Sequence, residues 1–214
     1  MKKRKILLIG GGGHCRSVLD CLWQSGAYEE MGLIEQALYQ GEEALGIPVV
    51  GTDADLPALF AAGWKDAAVT VGSVGRPEAR RRLCQRLKEI GFTLPPVISA
   101  DAVVGRGVRV AEGAFIGKRA VVNAGCCVGL CAIVNTGAIA EHDCGIGNFA
   151  HVSPGAVLCG GVQVGENSHV GAGAVVRQQI RIGRDAVIGA GSVIIRDVPD
   201  RCTVVGNPGR ILEK

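Results

Sequence analysis

From Ile98 onward an aliphatic residue returns at every sixth position: Ile98, Val104, Val110, Ile116, Val122, Val128 and Val134, then Ala140, then Ile146 and on to Ile188 and Ile194. Seventeen such hexads follow one another without an insertion. The fifth position is as regular and takes only small or aliphatic residues, from Ala102 and Val108 to Ser192 and Val198. This period predicts one short strand per hexad, with the first and fifth side chains inward and a turn at each corner, often with Gly at the second position. Coils of that kind stack into a parallel β-helix with one continuous core, and no coil is stable alone.

Residues 1–94 have a different grammar. Strands are predicted over 5–9, 32–35 and 67–71, and helices over 15–24, 55–62 and 77–90, the last closed by Gly91. Strand and helix in alternation imply a small parallel sheet, an α/β Rossmann-like domain. The joint is "LPPVIS", where Pro95 and Pro96 forbid helix continuation. The division is therefore an α/β domain over 1–94 and an all-β domain of hexapeptide repeats over 95–214, with "TVVGNPGRILEK" leaving the repeat as a tail.

Composition narrows the class. Hydrophobic residues make up 48% of the 214 but aromatics only 4%, so the core is aliphatic and small, as a repeat architecture requires. A net charge of +3 is too mild to argue for a nucleic-acid partner, and the cluster Arg76, Arg80, Arg81, Arg82, Arg86 and Lys88 reads as the solvated face of a helix. The N-terminal "MKKRKILLIGGGG" is too short in apolar residues for a signal peptide, and no run approaches a membrane span. Nine cysteines without a CxxC pair fit neither a disulfide framework nor a zinc ribbon. A cytoplasmic protein without membrane insertion is expected. Cys126 and Cys144 fall on inward fifth positions and read as small core residues; Cys15 reads as helix packing.

Two stretches carry candidate chemistry. "IGGGGHCRSV" follows a strand and opens a helix, where glycines let a phosphate reach free backbone N–H groups. The full GxGxxG fingerprint fails, because Cys15 and Arg16 stand where the third Gly belongs, so a dinucleotide cofactor is not expected and a nucleotide-sugar pyrophosphate stays one open candidate for the loop. An acid at the end of the second strand usually meets a ribose or base, and Glu35 followed by Gln36 stands there. The second stretch is "NTGAIAEHDCGIG", where the inward residue shrinks to Ala140, Glu141 takes the usual place of Gly, and His142 and Asp143 follow. A break in a strict pattern is expected at a functional site. An imidazole titrating near neutral pH suits proton removal from a nucleophile, so His142 is the candidate general base, with Asp143 beside it as orienting acid.

"ILLIGGGGHCRSVLD", "NTGAIAEHDCGIGNFAHVSPGAVLCGGV", "VGAGAVV" and "VVGNPGR" together resemble the left-handed β-helix acyltransferases. More narrowly, they resemble the bacillosamine-pathway and perosamine N-acetyltransferases and the NeuD-type sialic acid O-acetyltransferases. The resemblance, not the period, implies the left hand, a homotrimer, and acetyl-CoA in a groove between neighbouring β-helices. It places Asp143 as the supporting acid, His151, Gly160, Ala172 and Ala190 at acetyl-CoA, and Gly12, Gly13, His14 and Gly72 at the nucleotide sugar, with Glu35 and Gln36 where the family commonly has an acidic pair. Arg210, in "GNPGR", falls near the CoA nucleotide. The activity implied is N-acetylation of a nucleotide-linked 4-amino-4,6-dideoxysugar, UDP-linked by preference and without a metal. The alternatives are O-acetylation of a sialic acid-type sugar, zinc chemistry with His151 and His169 on adjacent coils, and a non-catalytic scaffold.

Overall fold

The computed structural model describes residues 4–36, 43–75 and 77–212. In its first part β1 (Lys5–Ile9) lies between β2 (Glu30–Ile34) and β5 (Asp66–Val69), all parallel. Beyond β2 come β4 (Ile47–Gly51) and the two-residue β3 (Glu43–Ala44), antiparallel to β4. The pattern did not predict β4. Its "IPVVG" carries a Pro, which argues against an interior strand, and Pro48 is tolerated because only β3 lies outside it. The expected helix over 55–62 is a short 3-10 turn, Asp53–Asp55, with a Thr52–Asp55 capping box, followed by α2 (Leu56–Ala61).

Helix α1 (Gly13–Ser25) covers one side of the sheet, burying Cys15, Val18, Leu19 and Leu22 against Ile6 and Leu8. On the other side α2 and α3 (Glu78–Ile90) bury Leu56, Cys84 and Leu87 against Leu7 and Ile9. Both cores continue into the second part, through Phe115 and Ile133 on the α1 side and Cys131 and Phe149 on the α3 side. The two parts therefore share apolar core, and an ion pair between Asp20 and Lys118 joins them at the surface.

One member of the supposed solvated basic face is buried. Arg80 is 1% exposed and spans the joint, its Nη1 donating to the carbonyls of Val71 (2.6 Å) and Val69 (3.3 Å) and its Nη2 to that of Cys131 (2.8 Å). A charge count along a helix could not show this, because the acceptors are backbone carbonyls contributed by distant residues. Arg81, Arg82 and Arg86 lie on the outer side as expected; Arg76 lies outside the described residues.

The second part is a triangular prism of two-residue strands that pair in parallel with the strand eighteen residues on, as Ile133–Val134 does with His151–Val152. The first face runs from Val97–Ile98 to Thr203–Val205, the second from Val103–Val104 to Val193–Ile194, and the third from Arg109–Val110 to Arg181–Ile182. The first and fifth hexad residues form the core from Ala114 to Val204. Ile98 and Val104 stay 38% and 40% exposed, because they belong to the first coil and nothing covers its open end.

Two details of the repeat differ from expectation. The left-handed backbone falls on the fourth hexad position, as at Gly125 (φ 76) and Asp143 (φ 62), whereas second-position glycines serve close approach: a Cβ on Gly147 would stand 2.6 Å from the Glu166 nitrogen on the next coil. The presumed tail also does not leave the prism. Thr203–Val205 extends the first face beside Val187–Ile188, and Arg210–Ile211 folds back antiparallel on it.

Candidate active site

His142 and Asp143 form the corner between Ile139–Ala140 on the second face and Gly145–Ile146 on the third. Asp143 takes the left-handed conformation, which Asp tolerates better than most side chains, and its N–H is held by the Ala124 carbonyl at 3.0 Å. That turn brings its Oδ2 to 2.9 Å from His142 Nδ1. Nδ1 therefore carries the proton, and Nε2, which makes no hydrogen bond among the described residues, keeps its lone pair for the outside. The bond to Asp143, reinforced by Coulombic attraction from it and from Glu141, raises the His142 pKa above the usual histidine value. Both side chains are well exposed.

The coils on either side are cut back around this pair. Ala124 and Gly125 occupy the same corner one coil before, and Gly160 and Gly161 one coil after. A Cβ on Gly125 would meet Asp143 Oδ1 at 2.6 Å, and one on Gly160 would meet His142 Nε2 at 2.5 Å. Beneath the corner the small Ala140 accompanies Cys126, whose thiol donates to the Glu141 carbonyl at 3.0 Å. Cys126 and Cys144 are buried as expected. Glu141 itself is no break in its own column, since Asn123, Cys159 and Arg177 also carry side chains at that corner. The local signals are Ala140, His142 and the glycines around them. Gly125 escaped the sequence reading because its partner is eighteen residues away.

The other expected contacts lie on two separate edges and on the first part. Gly160 shares the His142 edge, whereas Ala172 and Ala190 are exposed on the opposite edge of the second face, between it and the first. His151 and His169 sit on the first face, paired strand to strand, their rings edge to face with centroids 5.0 Å apart. His151 is 9% exposed, with Nδ1 2.7 Å from the Ser73 carbonyl and Nε2 3.2 Å from Asn135 Nδ2. Burial pulls its pKa down to about 4, and that of His14 down to about 3. No group of three or more His, Cys, Asp or Glu side chains placed to hold a metal exists among the described residues, and no helix among them is long and apolar enough to cross a membrane.

Around the glycine loop, Gly12 caps α1 and Gly13 opens it; neither has an atom within 4 Å of where a Cβ would be. Backbone N–H groups there are open to an anion. Gly72 faces His14 across the loop: a Cβ on Gly72 would stand 3.5 Å from the His14 Cβ. Glu35 Oε2 accepts from the Gly11 N–H at 2.7 Å and Oε1 from the Gln36 N–H at 3.1 Å, which fixes the carboxylate at the mouth of a cavity of about 310 Å³. Thr52 and Asp53, from the turn after the unpredicted β4, also line it, beside Gly10 and Val71.

With this geometry in place, the likenesses to known proteins decide the family. The PglD N-terminal domain model matches residues 5–87, and the bacterial transferase hexapeptide model matches 143–178. No curated protein is a match. The PerB structure from Caulobacter crescentus, solved with CoA and GDP-perosamine, is 37% identical with a TM-score of 0.91, over 98% of this chain and 97% of that one. The acetyltransferase domain of PglB from Neisseria gonorrhoeae is 37% identical with a TM-score of 0.91, over 98% and 100%. WeeI from Acinetobacter baumannii is 25% identical with a TM-score of 0.86, over 98% and 100%. The chain belongs to the left-handed β-helix sugar N-acetyltransferases. As an acetyltransferase of this family it takes acetyl-CoA as co-substrate.

Proposed function

We propose that this acetyltransferase moves the acetyl group of acetyl-CoA to the 4-amino group of a nucleotide-linked 4-amino-4,6-dideoxysugar, with His142 as general base. The observation that carries the reading is the exposed His142–Asp143 pair, its Nε2 free and its surroundings pared to Ala and Gly. The amine lone pair attacks the thioester carbonyl while His142 Nε2 takes a proton from the nitrogen. The tetrahedral adduct collapses, the C–N bond remains, the C–S bond breaks, and the departing thiolate receives the proton from His142. Asp143 stabilises the imidazolium formed in between.

A homotrimer fits the remaining placements. The outward residues of the second face are aliphatic on every coil, Val103, Val121, Ile139, Val157, Val175 and Val193, and all are half-buried or exposed. An unbroken apolar face of this kind suits contact with another copy. Packing through it would bring the Ala172 and Ala190 edge of one copy beside the His142 and Gly160 edge of the next, forming a groove with small-residue walls for acetyl-CoA.

The glycine loop, Glu35 and Gln36 would hold the nucleotide. The resemblance favours UDP, and PerB was solved with GDP-perosamine, so both belong in the test. Thiol release from acetyl-CoA is measured with UDP- and GDP-linked 4-amino-sugars and with free sialic acid. Turnover on an amino-sugar nucleotide with an N-acetyl product by mass supports the proposal; turnover on sialic acid alone replaces it with O-acetylation.

A further inference from the structure

The parallel sheet reverses its winding at β1. The chain first moves to β2 and β4 on one side, then crosses back to β5 on the other. In open α/β sheets the ligand crevice lies beyond the carboxyl ends of the two strands at such a point. Here those ends lead into residues 10–14 after β1 and 70–75 after β5, so the second segment forms one wall of the crevice.

That wall is short of support from its own domain. Thr70 holds onto the first loop, through its N–H to the Ile9 carbonyl (3.1 Å) and its Oγ1 to the Gly10 carbonyl (2.7 Å), and Arg80 takes the Val71 carbonyl. From Ser73 onward, among the described residues, the contacts come from the β-helix. His151 Nδ1 donates to the Ser73 carbonyl at 2.7 Å, and Val187 lies 3.2 Å from where a Cβ on Gly75 would be.

The His151 ring is held for this task from every side. Asn135 Nδ2 donates to Nε2, which leaves the proton on Nδ1, facing Ser73. His169 packs edge to face against the ring and is positioned by Ser153 Oγ at 3.4 Å from its Nε2. Burial keeps His151 neutral, so the donor survives across the physiological range. Both ring nitrogens are committed inside the protein.

We infer that His151 is a positioning residue for the nucleotide-sugar site: through the Ser73 carbonyl, it lets the β-helix set the crevice wall that carries Gly72. This rests on reading the glycine-loop crevice as the nucleotide-sugar site, and it gives the His151 side chain a role other than holding acetyl-CoA. The edge-on His169 and the Asn135 amide are supports of the same brace.

The test compares wild type, His151→Ala and His151→Gln, whose amide can donate to Ser73 again. Affinity for UDP and GDP is measured by calorimetry, which needs no acetyl transfer, together with KM for acetyl-CoA and the melting temperature. Loss of a buried hydrogen bond predicts that His151→Ala weakens nucleotide binding about tenfold, leaves KM for acetyl-CoA within about twofold, and that His151→Gln recovers most of the affinity. A rise in KM for acetyl-CoA with nucleotide affinity intact would overturn the inference in favour of an acetyl-CoA contact. Equal losses in both, or in neither, also overturn it, as does a wild type that binds neither nucleotide. A wild type that binds nucleotide but transfers no acetyl group removes the proposed reaction, while the titrations still decide the brace. If His151→Ala fails to fold, ¹⁵N spectra of the wild-type histidines decide: a neutral ring protonated on Nδ1 is expected, and a proton on Nε2 contradicts the inference.

Discussion

Gly160 lies one coil from His142, so close that a Cβ there would stand 2.5 Å from Nε2 and 2.7 Å from Cε1. The glycine leaves the His142 ring its place over that coil, with Nε2 facing outward as the proposed base requires.

Replacing Gly160 with Ala therefore forces the imidazole away from its place over that coil. The expected result for Gly160→Ala is a fall in kcat of about tenfold or more with little change in melting temperature, since misplacement by about 1 Å costs rate rather than fold. Steady-state kinetics checks it.

Asp143 supplies the leading cause of the raised His142 pKa. In Asp143→Asn the carboxylate is gone, the imidazole loses its proton at lower pH, and the acid limb of the kcat/KM profile moves down the pH scale. The plateau also drops, because the base is weaker and less well oriented. A profile with an unmoved acid limb would separate Asp143 from the base.

Arg80 donates to three backbone carbonyls, those of Val69 and Val71 in its own part and that of Cys131 across the joint. Arg80→Met keeps most of the volume but leaves those acceptors unpaired, and it is expected to destabilise the protein by about 2–4 kcal/mol in urea unfolding. A change below about 0.5 kcal/mol, the size typical of a surface substitution, would place the guanidinium in solvent instead.

His14, His151 and His169 all have pKa values lowered by burial, to about 3 and about 4 for the first two. The unfolded chain binds protons at these histidines from about pH 6.5 downward, while the folded chain does not until the lowered values are reached. Stability is thus full above about pH 6.5 and lost as pH falls toward 4, by on the order of 3 kcal/mol for His151 alone. Urea midpoints that stay flat between about pH 6.5 and 4.5 would contradict this.

The apolar second face predicts association. Val157→Glu puts a charge in the middle of it, and the expected result is loss of the trimer in light scattering together with loss of acetyl transfer. A wild-type protein that is monomeric at working concentration would contradict the shared groove.

The hexad period made most of the β-helix legible, because every inward residue repeats and no tertiary information is needed to count it. His142 and Asp143 were visible for the same reason, standing at the coil where the inward residue shrinks to Ala140. What stayed hidden depends on residues brought together across coils or across the joint. Gly125 matters through a neighbour eighteen residues away, Arg80 looked like one more surface charge, and His151, which the resemblance placed at acetyl-CoA, showed no sign in the sequence of its hydrogen bond to the Ser73 carbonyl. β4 was missed because Pro48 disguises a strand whose outer neighbour is only two residues long.

The most direct test of the account is acetyl transfer by His142→Ala, measured as thiol release on whichever amino-sugar nucleotide the wild type uses, with nucleotide affinity followed alongside. The account predicts a rate lower by about 10²–10⁴-fold with nucleotide affinity unchanged. A His142→Ala rate within about twofold of wild type would contradict it, since the corner would then be shaped around a histidine that takes no proton.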